Sequence, residues 1–303
     1  HIYSELGSYN TGTHYSTSYR NSRVQNGQQT LTCDTLLYNE DTEHGIAYGH
    51  VVIHDSVNDV TCIGHYGETH QQKRYSYVTD SAEVIFVDKG DSLFMHADTL
   101  YVVNDSARQV ESIRANYHVR LFRNDVQGMC DSVFYSIPDS LISMYYLPVI
   151  WYESYQCTAD TIHIWRDSAG MKRAELHGNS FIIEQIDPEK FNQIKGKQTK
   201  VYFEKGEPTY ADILGSAQMV YYITEEDAQG RLSLIGVNAG VGSDMRIYFK
   251  KREADRVVTY GNPDMHTYPY SKLPEDQKQL RGFEWKSDIR PKNRHEIFPK
   301  LTK

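Results

Sequence analysis

Short runs in which apolar and polar residues alternate recur along the whole chain, and polar turns separate them. Two interleaved series can be followed. In the first, a tripeptide of the form small-Asp-hydroxyl precedes an apolar run: Cys33-Asp34-Thr35, Ala97-Asp98-Thr99, Cys130-Asp131-Ser132 and Ala159-Asp160-Thr161, with looser copies at Gly64-His65-Tyr66 and Lys197-Gln198-Thr199. Successive copies lie roughly 29 to 38 residues apart, the period range of stacked-repeat architectures. The second series falls between them: Gly49-His50-Val51-Val52-Ile53, Ser81-Ala82-Glu83-Val84-Ile85-Phe86, Tyr117-His118-Val119-Arg120-Leu121, Leu147-Pro148-Val149-Ile150-Trp151, Gly178-Asn179-Ser180-Phe181-Ile182 and Gly215-Ser216-Ala217-Gln218-Met219. Period-two alternation is the signature of strands, and turns such as Asn39-Glu40-Asp41 and Asn104-Asp105-Ser106 punctuate it. The pattern predicts two strands per period and an all-β, repeat-built protein of about 12–16 strands.

Alternation also predicts an inner face. Leu36, Leu100, Val133 and Ile162 sit two residues after the repeat aspartates and so share one face. In the second series the inward positions are Val51 and Ile53, Val84 and Phe86, Val119 and Leu121, and Val149 and Trp151. Stacked across the repeat, these residues make an apolar trough. Burying each is worth roughly 1.5–3 kcal/mol, enough to act simply as core. A ligand-binding role requires the trough to be wide or open.

Composition narrows the class. Twenty-four tyrosines against nine prolines in 303 residues suit a pleated surface. A net charge of −8 without a long basic run excludes a nucleic-acid reader. No apolar stretch is long enough to cross a bilayer as a helix. The chain opens with His1, without an initiator Met or signal peptide, as a mature or trimmed chain would. Helical signals are confined to short acidic turns at Pro188-Glu189-Lys190-Phe191 and Pro274-Glu275-Asp276-Gln277. Beyond about Tyr260 lie five of the nine prolines, so residues 1–260 are expected to form the repeat and 261–303 a Pro-rich cap or tail.

The candidate chemistry is sparse. His50 and His54 are four apart, a zinc spacing on a helix, but on a strand that separation is about 13 Å. No metal site or cofactor is expected. Recurring aspartates resemble paired catalytic carboxylates, yet an active site breaks a repeat at one place, and these residues are the repeat. An Asp followed by Thr or Ser is better read as a strand-start group that accepts backbone amides and defines a turn. No nucleophile elbow, phosphate loop or dinucleotide fingerprint is present, so a β-helical glycan-active enzyme is the weakest reading. The aromatics Tyr145-Tyr146, Trp151-Tyr152-Tyr155, Trp165 and Tyr221-Tyr222 are read as cross-strand pairs before a sugar-stacking surface. Cys33, Cys62, Cys130 and Cys157 are either two diagonal disulfides, Cys33 with Cys62 and Cys130 with Cys157, or four buried thiols.

Several segments resemble a known family. Ala47-Tyr48-Gly49-His50-Val51-Val52, Asp91-Ser92-Leu93-Phe94-Met95-His96-Ala97-Asp98-Thr99-Leu100 and His118-Val119-Arg120-Leu121-Phe122-Arg123-Asn124-Asp125-Val126-Gln127-Gly128 resemble the OstA-like proteins of Bacteroidetes-type bacteria. So do Phe191-Asn192-Gln193-Ile194-Lys195-Gly196 and Gly282-Phe283-Glu284-Trp285 with Arg290-Pro291. These proteins are related to LptA, the periplasmic lipopolysaccharide-transport component, and to the N-terminal domain of its outer-membrane partner. The resemblance implies an antiparallel β-jellyroll, V-shaped, whose apolar interior carries the acyl chains of lipopolysaccharide or lipid A. It also implies a periplasmic location, possible association with the outer membrane, and strand-to-strand joining to other jellyroll components or to further copies head to tail. It supplies no catalytic residue. The acyl-contacting residues it implies here are Leu36, Val51, Ile53, Val84, Phe86, Leu100, Val119, Leu121, Val149 and Trp151. Three residues of the second series, Glu83, Arg120 and Pro148, depart from an apolar lining, and the partner's membrane barrel is not found in these residues.

Overall fold

The structure is a computed structural model that describes residues 2–299, apart from 27, 58, 89–90, 168–169, 227–231 and 251–252. Among the described residues the secondary structure is twenty-two antiparallel strands and four single 3-10 turns, with no α-helix. No helix among the described residues is long and apolar enough to cross a membrane. The expected helical signals yield one 3-10 turn, Glu275–Gln277, and a bend before the strand Phe191–Glu204. Six consecutive strand pairs are halves of one path interrupted midway, so the twenty-two strands trace sixteen rungs.

Two compact units are present. The first holds residues 1–139 together with 291–303, and the second holds 140–290. Within each unit the rungs follow one plan. Strands run antiparallel to their sequence neighbours, as Gln29–Asn39 does between Tyr15–Asn26 and His44–Asp55. Midway along alternate rungs the chain turns a corner, built from two consecutive residues in the left-handed region. The pairs are Arg20-Asn21, Gly49-His50, Asp80-Ser81, Tyr117-His118, Tyr146-Leu147, Gly178-Asn179, Gly215-Ser216 and Gly261-Asn262. None is β-branched, in keeping with the cost of that conformation for crowded side chains. At each of Gly49-His50 and Gly178-Asn179 the ladder shifts register, the mark of a bulge that bends the strand. Six of the eight pairs begin, or fall at the start of, the second sequence series.

The repeat aspartates sit opposite these corners: Asp98 and Asp160 directly precede the strands Thr99–Asn104 and Thr161–Asp167, as expected, whereas Asp34 and Asp131 lie inside longer strands. Asp34 lies inside Gln29–Asn39 and accepts from His50 Nδ1 at 2.8 Å. Asp98 accepts from His118 Nδ1 at 2.8 Å, and Asp160 from Asn179 Nδ2 at 3.2 Å. Their own backbone amides reach across the corner, from Asp98 to the Tyr117 carbonyl and from Asp160 to those of His177 and Gly178. The carboxylates thus do serve the frame, through side-chain partners. At 49 and 178 glycine lets the carboxylate come close, since a Cβ there would lie 2.2 Å from Asp34 Oδ2 and 2.1 Å from Asp160 Oδ2.

The corners divide each unit into two half-sheets that face one another. In the first unit a Cβ on Gly64 would lie 2.4 Å from Val78 Cγ1, and one on Gly67 would lie 3.4 Å from Val51 Cγ1. In the second unit Ala217 and Met219 of one half-sheet pack with Ala211, Ile213, Met245 and Ile247 of the other.

The chain after Asp264–Tyr268 runs through 3-10 turns, bends and short irregular stretches and covers the outer face of one half-sheet in each unit. In the second unit Leu273 packs on Val220, Tyr222, Val237 and Ala239. Two buried glutamines then read its backbone with both ends of their amides. Gln193 donates to the Lys278 carbonyl and accepts from the Leu280 amide, both at 2.8 Å. Gln156 donates to the Glu284 carbonyl and accepts from the Lys286 amide, both at 2.7 Å. In the first unit Arg294 makes a two-pronged pair with buried Glu83, at 2.7 and 2.6 Å, and its guanidinium covers the Phe94 ring. Ile297 is fully buried, and Phe298 lies against His96.

Candidate acyl-binding interior

The interior of the first unit is built from two inward rows. On one half-sheet Leu36, Ala47, Gly67, Val78, Leu100, Ala115 and Val133 are successive cross-strand partners. On the other, Leu31, Ile53, Cys62, Val84, Met95, Leu121 and Gly128 are. Each row points one way because cross-strand partners share a face and successive residues alternate. Eight of the ten residues expected in the trough therefore lie on its lining: Leu36 and Leu100 on the first half-sheet, and Val51, Ile53, Val84, Phe86, Val119 and Leu121 on the second.

Depth separates these eight. Next to the corner, Leu36, Val51, Leu100 and Val119 are at most 5% exposed, and Val84 one level further out is 1% exposed. Away from the corner, Ile53 and Leu121, on the level of buried Val84 and Met95, and Phe86 beyond them are only half-buried, as are Val102, Ile113 and Tyr135 on the other half-sheet. The corner end is closed core. The far end is an apolar rim that retains accessible surface.

Val149 and Trp151 lie elsewhere. In the second unit the inward row of that half-sheet is Ile150, Cys157, Ile182, Ile194 and Met219. Trp151 belongs to the opposite face, in the row Trp151, Gln156, Ile183, Gln193 and Val220, and Val149 shares that face two residues away. Trp151 donates through Nε1 to Gln156 Oε1 at 3.2 Å, the oxygen that also receives the Lys286 amide. It is buried by the C-terminal segment.

The same geometry places two of the polar departures. Glu83 and Arg120 are on the outer face of their half-sheet, each a cross-strand partner of His96. Glu83 meets Arg294, and Arg120 Nη1 reaches the Glu296 carbonyl at 3.4 Å. They do not interrupt the apolar lining. His96 donates from Nδ1 to the Ala82 carbonyl at 2.8 Å, and burial holds its imidazole below its ordinary pKa. All four cysteines are free thiols. Burial pushes Cys62 and Cys157 up to about 12, and burial with the neighbouring Asp34 charge pushes Cys33 up to about 11, so these thiols serve as small apolar groups.

The aromatic residues pair across strands on the outer surface, as Tyr48 with Tyr66, Tyr66 with Tyr77 and Tyr77 with Tyr101. Nothing in the sequence had marked one group of polar side chains, His44, Glu68 and His70, which the strands bring together across about a full hairpin.

These features define an all-β protein of antiparallel rungs folded about corners, with an apolar lining between facing half-sheets. No family model matches the chain, and no curated protein matches it in sequence. Among solved structures it is similar in fold to the crystal structure of LptH from Pseudomonas aeruginosa, the LptA-homologous periplasmic component of the lipopolysaccharide transport device. The identity is 14% and the TM-score 0.33, with 47% of this chain and 92% of that chain covered.

Proposed function

We propose that this chain is a non-enzymatic periplasmic carrier of a lipid-A-type glycolipid, whose acyl chains lie along the half-buried rim of the first unit. The observation that carries the reading is the gradient of burial along the lining. A lining that is closed at the corner and apolar but accessible at Ile53, Phe86 and Leu121 suits alkyl chains while leaving sugars and phosphates in water. Burial of each methylene contributes about 0.8 kcal/mol, so several partly sheltered chains are held without polar contacts. Direct handover to other jellyroll components of the envelope, at or near the outer membrane, follows from the same reading.

A second reading, an envelope scaffold that polymerises through end strands, is favoured by the first rung. Its strand Leu6–Asn10 is exposed throughout and pairs with Tyr15–Asn26 on one side. Exposed edges are templates for strand addition. Photo-crosslinking residues at Ile53, Phe86, Leu121 and Val149 separate the two. The carrier is expected to give glycolipid adducts in cells at the first three positions and none at Val149. Adducts at none of the four, with a positive control in the same cells, would leave the scaffold.

A further inference from the structure

The group formed by His44, Glu68 and His70 has the makings of a metal site on the outer surface of the first unit. His44 opens the strand His44–Asp55 and stands directly opposite His70, the last residue of Val60–His70. Glu68 is two residues before His70 and therefore on the same face. The two imidazole rings stack, with centroids 4.4 Å apart and planes within 13°. Both turn Nε2 towards a single carboxylate oxygen. Glu68 Oε2 is 3.2 Å from His44 Nε2 and 2.9 Å from His70 Nε2, and all three donor atoms lie within 4.8 Å of one another.

We propose that these three residues bind a zinc-class divalent cation with His₂Glu ligation. Zinc takes nitrogen and oxygen donors at about 2.0–2.2 Å, so tetrahedral donor atoms stand about 3.3 Å apart. The two His–Glu separations, 3.2 and 2.9 Å, lie close to that value. Imidazole suits zinc, copper and nickel, while the single carboxylate disfavours calcium and magnesium, which take mostly oxygen. The carboxylate is also held from behind. The Tyr66 hydroxyl donates to Glu68 Oε1, and the Tyr77 hydroxyl hydrogen-bonds to the same group. Such outer partners fix a ligand's direction and leave its other oxygen free for the ion.

The side chains of His44, Glu68 and His70 are 31, 17 and 19% exposed, which gives an ion access from solvent and leaves a fourth position for water. Ligands drawn from two neighbouring strands make the bound ion a clip across the ladder.

The test uses full-length protein stripped with a chelator and titrated with Zn²⁺, and separately with Co²⁺ for its visible absorption. One equivalent of Zn²⁺ is expected to bind with a rise in melting temperature, and Co²⁺ to give the intense bands of a four-coordinate site. His44→Gln and His70→Gln, each checked for unchanged far-ultraviolet circular dichroism, should abolish both signals. Glu68→Gln should weaken binding about tenfold or more. Absence of binding to the unsubstituted protein would overturn the proposal. So would binding that is unchanged in both histidine variants, which would place the ion at other histidines.

Discussion

Trp151→Ala is expected to lower the unfolding free energy by about 3–5 kcal/mol, the usual range for removing a large buried aromatic side chain, and to leave glycolipid capture unchanged. Trp151 is fully buried, and the surface that buries it is the protein's own C-terminal segment. Alanine leaves a cavity and removes the indole N–H that shares Gln156 Oε1 with the Lys286 amide. Gln156 then loses part of the contact that orients its amide towards Glu284 and Lys286. Trp151→Phe keeps most of the packing and should cost less. Urea denaturation followed by the fluorescence of Trp165 and Trp285 measures both, and Trp285 reports directly on the segment because it packs against Phe191. Unchanged stability together with lost capture would put Trp151 in the lipid path and refute its placement on the outer face.

Arg294→Ala is expected to destabilise the first unit by about 3 kcal/mol, the lower end of the range for breaking a buried ion pair. Glu83 is 3% exposed, and its carboxylate takes both prongs of the guanidinium. Removing the arginine strands a charge in a site that water scarcely reaches. Arg294 itself is 40% exposed, which holds the effect below that of a wholly enclosed pair. The contact also fastens residues 291–299, so amide exchange at Ile297 and Phe298 should accelerate in the variant. The double substitution Glu83→Met with Arg294→Met should recover much of the lost stability, since apolar replacements of similar size remove the desolvation cost of both charges. A loss below about 1 kcal/mol for Arg294→Ala would mark the pair as an ordinary surface contact.

The parts of this structure that could be read from sequence are those governed by alternation alone. Leu36, Leu100, Val133 and Ile162 point inward as expected, because a hydroxyl residue on the other face, Thr35, Thr99, Ser132 or Thr161, directly precedes each and sets the strand's parity. Val149-Ile150-Trp151 is apolar on both faces, and its parity could not be fixed in the same way. Both faces are apolar because the strand lies between a facing half-sheet and the C-terminal segment. Glu83 and Arg120 resembled faults in the lining for the same reason, since their partners lie about two hundred residues further along the chain. The second series began at the corners, but its glycines, asparagines and histidines signal a left-handed pair only when the bend itself is known. Two of the segments that carried the family resemblance, Phe191 to Gly196 and Gly282 to Trp285, turn out to touch, with Phe191 between Phe283 and Trp285. His44 and His70 met through strand register, which no local spacing encodes.

The central claim is that the rim of the first unit holds the acyl chains of a glycolipid. Native mass spectrometry of the protein purified from its own envelope tests it most directly, with a Leu121→Asp variant purified in parallel. A charge at a half-buried rim position repels alkyl chains without entering the closed core at the corner. The account predicts a bound species with the mass of a multiply acylated glycolipid on the unsubstituted protein and a marked loss of it from the variant. Bare protein in both preparations, or equal glycolipid in both, would contradict it.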